Sequence, residues 1–258
     1  MKNPPSTCER LSMYGGAVEL LYHDALHRYY YEGKPVPGVT TITNNIAKNL
    51  TQWAADQACF YMLEHLKPGV VLDALSIQEL LNGARLAHKK TLEKAGNIGH
   101  IVHAFAEGWI KGFNPKLPDD PKAQNGALAF LDWVKAHGVR FRESEKKVFS
   151  RKHRYAGTLD AESYFEDRRA IGDFKTSKGL WPEFRLQTAA YQYARAEETG
   201  EEYGPRWLAR FDKETGEFEY KVLPVEDFEP DFEAFLGIKT VYHRLKAVDT
   251  YRRKDGSK

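Results

Sequence analysis

The chain has 258 residues, enough to bury one substantial core, and a formal net charge of +2 at neutral pH, so any basic footprint for nucleic acid must be local. Two cysteines, Cys8 and Cys59, are too few for a four-ligand zinc centre or an iron–sulfur cluster. No apolar run reaches the length of a membrane span, and no Gly-x-x-x-x-Gly-Lys-[Ser/Thr] loop is present for a nucleotide.

In chain order, residues 1–17 read as loosely structured, and Met1–Pro5 begins no apolar leader. With reduced thiols, this makes the cytoplasm the expected location. Residues 20–43 read as strand and turn: Tyr29-Tyr30-Tyr31, the turn Glu32-Gly33-Lys34, then an extended Val36 to Ile42. Leu50–Leu66 and Ser76–Ala95 carry helical spacing, the second opened by a Ser76-x-x-Glu79 capping box. Ile98–Lys111 reads as a further helix, Asn114–Asp120 as a loop, and Lys122–Ala136 as a helix stopped by Gly138. Val139–Ser150 alternates as a strand. Trp207–Phe211 and Glu217–Leu223 read as a hairpin, Phe228–Val248 as a closing helix, and Tyr251–Lys258 as a polar tail.

The stretch from Gly157 to Tyr191 organises the rest. Residues 153–165 predict a strand, Glu166–Arg169 a charged turn, and Ala170–Lys175 a second strand. Ser177, Gly179 and Pro182 mark a loop and then a helix. Asp173 and Lys175 share one strand face, with Phe174 on the other. Hairpin pairing would set Asp160 beside Asp173. Two carboxylates held so close repel, and a hard divalent cation removes that cost. Lys175 would lie near the cation, placed to steer water or stabilise an anionic transition state. Gln187 and Tyr191, four apart on the next helix, can reach back to orient the patch. The chain contains five acid-x-Lys triplets, but only the Asp173 one has both an upstream Asp at hairpin distance and a Gln-x-x-x-Tyr helix behind it. Upstream, Gly99, His103 and Glu107 follow at spacings of four. His103 and Glu107 therefore share a helix face. Glu145 is an additional candidate acid.

The combination Gly157-Thr158-x-Asp160, Asp173-x-Lys175-Thr176, Gln187-x-x-x-Tyr191 and Gly99-x-x-x-His103-x-x-x-Glu107 resembles the RecB-like branch of the PD-(D/E)XK nuclease superfamily over roughly residues 95–195. The literal Pro-Asp of the superfamily name is absent at Asp160. The resemblance implies an α/β (α+β) restriction-endonuclease-like core, a mixed central β-sheet flanked by helices, with an N-terminal helical region. It implies one nuclease domain over 1–258: a hairpin and helical region at 1–95, the core at 96–225, and a closing helix and tail at 226–258. It implies a phosphodiesterase, specifically a metal-dependent deoxyribonuclease resembling stand-alone phage and bacterial exonucleases of recombination and repair. One or two Mg²⁺ or Mn²⁺ ions would be held by His103, Asp160, Asp173 and the backbone carbonyl of Phe174. Asp160, Asp173, Lys175, Gln187, Tyr191 and Glu107 would serve catalysis. Lys147, Arg151, Lys152, Arg154, Thr176, Ser177, Lys178, Trp181 and Arg185 would contact DNA, giving backbone grip and a stacking surface for an end. The product ends would be 5′-phosphate and 3′-hydroxyl. A single-strand annealing protein or a helicase in trans is the partner class such an enzyme would use; neither an iron–sulfur cluster, a nucleotide nor a membrane is expected. The alternatives are an endonuclease, a non-catalytic nucleic-acid-binding module on the same fold, and a structural protein whose charges are all surface.

Overall fold

The computed structural model describes residues 4–46, 51–177, 179–212 and 218–254. Strands β1 (Glu9–Met13), β2 (Val18–His23), β3 (Arg28–Tyr31) and β4 (Lys34–Val36) form an antiparallel sheet in sequential order. Part of the 1–17 region expected to be loose is therefore a strand. Its sequence, Glu-Arg-Leu-Ser-Met, alternates only over Leu11-Ser12-Met13, too short to read as a strand, and it is ordered by pairing Leu11 with Leu20 and Met13 with Val18. The extended segment expected through Ile42 also differs. Val39–Thr43 is a short helix, α1, burying Val39, Ile42 and Thr43. Spacings of three and four fit a helix, and here they outweigh the strand preference of β-branched residues.

Helix α2 (Thr51–His65) leads into α3 (Ala74–Ile110). The two helices expected over 76–95 and 98–111 are one continuous rod. Its cap is Asp73, whose side chain accepts from Ser76 N at 2.8 Å, so the Ser76–Glu79 box lies inside the helix. Helix α4 (Pro121–His137) starts at Asp120, which accepts from Lys122 N and Ala123 N. It stops at Gly138 with φ 54°, the left-handed cap glycine favours.

The main sheet has the order β5 (Arg140–Ser150), β6 (Tyr155–Phe165), β7 (Arg168–Lys175), β8 (Arg206–Phe211), β9 (Phe218–Leu223). Only β7 and β8 pair in parallel, joined across helix α5 (Pro182–Thr199). The β6–β7 turn is just Glu166-Asp167, both at positive φ, as a two-residue hairpin requires. Arg168 and Arg169 belong to the strand. The expected β8–β9 turn falls mostly on 213–217, outside the described residues. Helix α6 (Phe228–Lys254) closes the chain and runs into the segment expected as a tail.

Helices cover both faces. On one, α3 and α4 pack Val102, Phe105, Phe130 and Trp133 onto Phe174, Trp207 and Phe211. On the other, α1, α5 and α6 pack against Leu159 and Ile171. A mixed sheet between helices is the layout the resemblance implies. Gly172 is needed where it stands: a Cβ there would lie 1.9 Å from the Trp207 ring. The N-terminal sheet packs on the β5–β6 hairpin through Phe149 and Ala156. No helix among the described residues is long and apolar enough to cross a membrane.

Candidate active site

The site forms where β6 and β7 part. Their pairing runs from Phe165↔Arg168 to Ala161↔Gly172, which puts Asp160 and Asp173 next in register. Beyond that point Asp160 replaces the ladder: its Oδ2 accepts from Phe174 N at 2.9 Å. Asp173 is fully buried. Gln187 Nε2 lies 3.3 Å from its Oδ1 and 3.0 Å from the Tyr191 hydroxyl. Its Oδ2 receives no well-aligned hydrogen bond and is ion-paired with the Lys175 ammonium. Lys175 Nζ also sits 4.8 Å from the Phe184 ring centroid. Tyr191 explains the motif glycine: a Cβ on Gly157 would come within 2.6 Å of its ring. The two motifs are thus one packing unit.

From the other face of the sheet, α3 brings His103. Its Nδ1 is 3.9 Å from Asp160 Oδ2, and its ring meets Phe174 edge-on. His103 keeps 29% of its side chain exposed at the cleft. Glu107, one turn on, is ion-paired with Lys111.

Glu145 completes the arrangement. Ser144 pairs with Ala161 and Lys146 with Leu159, so Glu145 stands opposite Asp160. Its φ is +53°, a left-handed conformation that costs a non-glycine residue about 1 kcal/mol or more. Ligand atoms of His103, Glu145 and Asp160 all lie within 4.8 Å of one another. The expected set had Asp173 in Glu145's place. Asp173 is instead ion-paired with Lys175. The signal for Glu145 was its position fifteen residues before Asp160, across a hairpin long enough to fold one onto the other.

The electrostatics are those of a crowded acid cluster. Burial, opposed by Lys175 and reinforced by Asp160, raises Asp173 to about 7. Burial also raises Asp160, against the pull of Lys175. Burial and then the charge of Glu107 raise Glu145. Burial, followed by the charge of Lys175, lowers His103 to about 4, leaving a neutral imidazole able to donate a lone pair. Neutral imidazole with several carboxylates suits Mn²⁺ well and Mg²⁺ through the oxygens. The residues therefore fit a divalent cation, whose charge would relieve the repulsion that burial imposes.

The expected DNA-contacting residues are dispersed. Lys147 lies beside the site, its Nζ 4.8 Å from the Tyr22 ring centroid. Thr176 and Ser177 directly follow β7, where Ser177 Oγ donates to Gly179 O, and Trp181, 46% exposed, stands at the N-cap of α5. Lys178 lies outside the described residues. Arg151 and Lys152 are exposed at the β5–β6 turn. Arg154, at the same tip, pairs with Glu32 at 2.9 Å and covers Tyr31. Six residues separate Arg154 from Asp160, roughly 20 Å of strand, so this basic cluster stands off from the carboxylates. Arg185 is engaged by Asp227 at 2.6 Å and Asp231 at 3.2 Å, anchoring α5 to α6 rather than facing a ligand.

No family model and no curated protein matches this chain. Among solved structures it is similar to a candidate exonuclease from Eubacterium rectale, at 14% identity and a TM-score of 0.40, over 62% of this chain and 69% of that one. It is also similar to an alkaline exonuclease from Laribacter hongkongensis, at 12% identity and a TM-score of 0.30, over 48% of this chain and 70% of that one. Overlap at this level is partial, and the chemistry rests on the residues themselves.

Proposed function

We propose that the chain is a divalent-metal-dependent deoxyribonuclease of the PD-(D/E)XK type, an exonuclease acting on linear DNA in recombination, repair or phage DNA processing. The observation that carries this reading is the meeting of His103, Glu145 and Asp160 within 4.8 Å, with the Asp173–Lys175 pair alongside. His103, Glu145, Asp160 and Asp173 would hold Mg²⁺ or Mn²⁺, with the Phe174 carbonyl beside them. The cation supplies an acidified water and charge stabilisation at the phosphate. Lys175 would orient an attacking water and offset negative charge as phosphorus becomes five-coordinate. The water oxygen bonds to phosphorus, the P–O3′ bond breaks, and a proton passes to the leaving oxygen, giving 5′-phosphate and 3′-hydroxyl ends. Gln187 and Tyr191 hold Asp173 in place. Glu107 adds negative charge at the rim, and Lys147, Thr176, Ser177 and Trp181 line the approach of the strand. Arg151, Lys152 and Arg154 would meet the backbone farther out.

The end requirement is taken from the resemblance to stand-alone exonucleases and from Trp181, an exposed ring at the start of α5 suited to stacking. The test is digestion of linear and covalently closed circular DNA with Mg²⁺ or Mn²⁺, and of RNA in parallel. Linear DNA should shorten while the circle survives. Equal rates on both forms would replace the exonuclease with a nonspecific endonuclease; absence of divalent-metal binding, with no cleavage, would favour the nucleic-acid-binding module or the structural protein.

A further inference from the structure

The N-terminal sheet reaches the acid cluster through one closed set of contacts. Around the cluster, Lys175 pairs with Asp173 and Lys111 with Glu107, and on β5 Lys146 pairs with Glu143. Lys147, half-buried, makes no ion pair among the described residues. Its ammonium lies over the face of Tyr22, 4.8 Å from the ring centroid. Tyr22 is itself held in place. The Tyr29 ring lies 4.9 Å away, and the Tyr22 hydroxyl donates to Asp24 Oδ1 at 3.3 Å and sits 3.0 Å from His27 Nδ1. The Tyr29 hydroxyl meets Thr158 Oγ1 at 2.7 Å, and Thr158 is the residue opposite Lys147 on the β5–β6 ladder. Lys147, Tyr22, Tyr29 and Thr158 therefore form a ring of contacts. The two tyrosines are only 5 and 6% exposed, too covered to stack on a base. What they present to the cleft is the ammonium they hold.

We propose that Tyr22 is a positioning residue of the candidate active site: it holds Lys147 as an un-neutralised cation that grips the backbone phosphate next to the scissile one. The inference rests on the nuclease reading and extends it to the N-terminal sheet. The physical reason lies in the kind of partner. A carboxylate would fix a lysine and cancel its charge, as Asp173 and Glu107 do for their own lysines. The face of an aromatic ring fixes the ammonium through its quadrupole and leaves the full charge available to an anion. Lys147 stands two residues along β5 from Glu145, about 7 Å of strand, close to the step from one phosphate to the next along a nucleic-acid strand. Burial raises Glu145 and the charge of Lys147 opposes it, so the ammonium is within electrostatic reach of the acids. Tyr22 thus acts through Lys147, and Tyr29 acts through Tyr22 and Thr158.

The experiment is steady-state cleavage of linear DNA with Mn²⁺ over a range of salt concentrations, on the full chain, with circular dichroism as a check on folding. The variants are Tyr22→Leu, Tyr22→Phe, Lys147→Met and the double variant Tyr22→Leu/Lys147→Met. Tyr22→Leu and Lys147→Met should each raise KM about fivefold with kcat held within about twofold. Each should also lower the slope of log kcat/KM against log salt by about one, the mark of a lost phosphate contact. The double variant should be no worse than either single one, because the two residues act as one unit. Tyr22→Phe keeps the ring and should restore KM. A folded Tyr22→Leu with unchanged KM and slope overturns the proposal, as do effects that add in the double variant or a Tyr22→Phe as impaired as Tyr22→Leu. Should Tyr22→Leu lose its fold, the half-buried Lys147 still decides: an unchanged KM and salt slope in Lys147→Met overturns the proposal. A natural chain that cleaves no DNA with Mn²⁺ or Mg²⁺ removes the nuclease reading itself, and this role with it.

Discussion

The two faces of the main sheet are built on different principles. The α3–α4 face is dry: Phe130, Trp133, Phe174, Trp207 and Phe211 stack at centroid distances of 4.9 to 6.4 Å, and Trp207 Nε1 finds Ser163 Oγ. The α5–α6 face is wired. Glu162, 1% exposed, meets Arg195 at 3.0 Å and Tyr203 at 3.1 Å, and Arg206 meets Asp231 at 2.7 Å. Helix α5 lays Gln187, Tyr191 and Arg195 in one row, with Gln187 on Asp173 and Arg195 on Glu162. The wired face thus sets the register of α5 against the strands that carry the acids. The dry face supplies rigidity and, at its edge, His103. Chemistry sits where the two meet, because only there can buried carboxylates find an open side for a cation.

The sharpest break in this contrast is Asp173→Asn. It should cut metal-dependent cleavage by about a thousandfold or more, about 4 kcal/mol of barrier, with the fold retained by circular dichroism. Substantial turnover by the folded variant would remove Asp173 from the site. On the dry face, Trp207→Ala should cost about 4 kcal/mol in urea unfolding, through a cavity beside Gly172. A loss below about 1 kcal/mol would mean that face is loosely packed. On the wired face, Glu162→Gln should cost about 3 kcal/mol, since Arg195 would keep only Glu143 and Glu198, and both Arg195 and Arg169 would lose the buried charge they share. A neutral result would make the network decorative.

The smallest effect is a slope. Asp173 lies at about 7 in the folded, metal-free chain against an ordinary 3.8. A raised folded pKa gives stability that is full below the unfolded value and is lost as pH rises toward the folded one. Stability in EDTA should therefore fall by about 1 kcal/mol per unit between pH 4.5 and 6.5 and level off above about 7. Asp173→Asn should flatten the slope, and Mn²⁺ should restore stability at the alkaline end. A slope unchanged in the variant would assign it to other groups.

What the sequence determined by itself is local. The strand–turn–strand from Tyr155 to Lys175, the Pro182 helix with Gln187 and Tyr191 one turn apart, and the His103–Glu107 helix face all follow from spacing and turn chemistry within a few residues. Tertiary structure decided what depends on distant partners. It merged two helices into α3 once Asp73 supplied the cap, and coiled Val39–Thr43 because a core was there to receive three of its side chains. It folded Glu145 onto Asp160 through the register of a hairpin of two 11-residue strands, which no local pattern records. It also drew Arg185 away to Asp227 and Asp231, more than forty residues downstream. A charge's role depends on which opposite charge reaches it first, and that is a property of packing rather than of spacing.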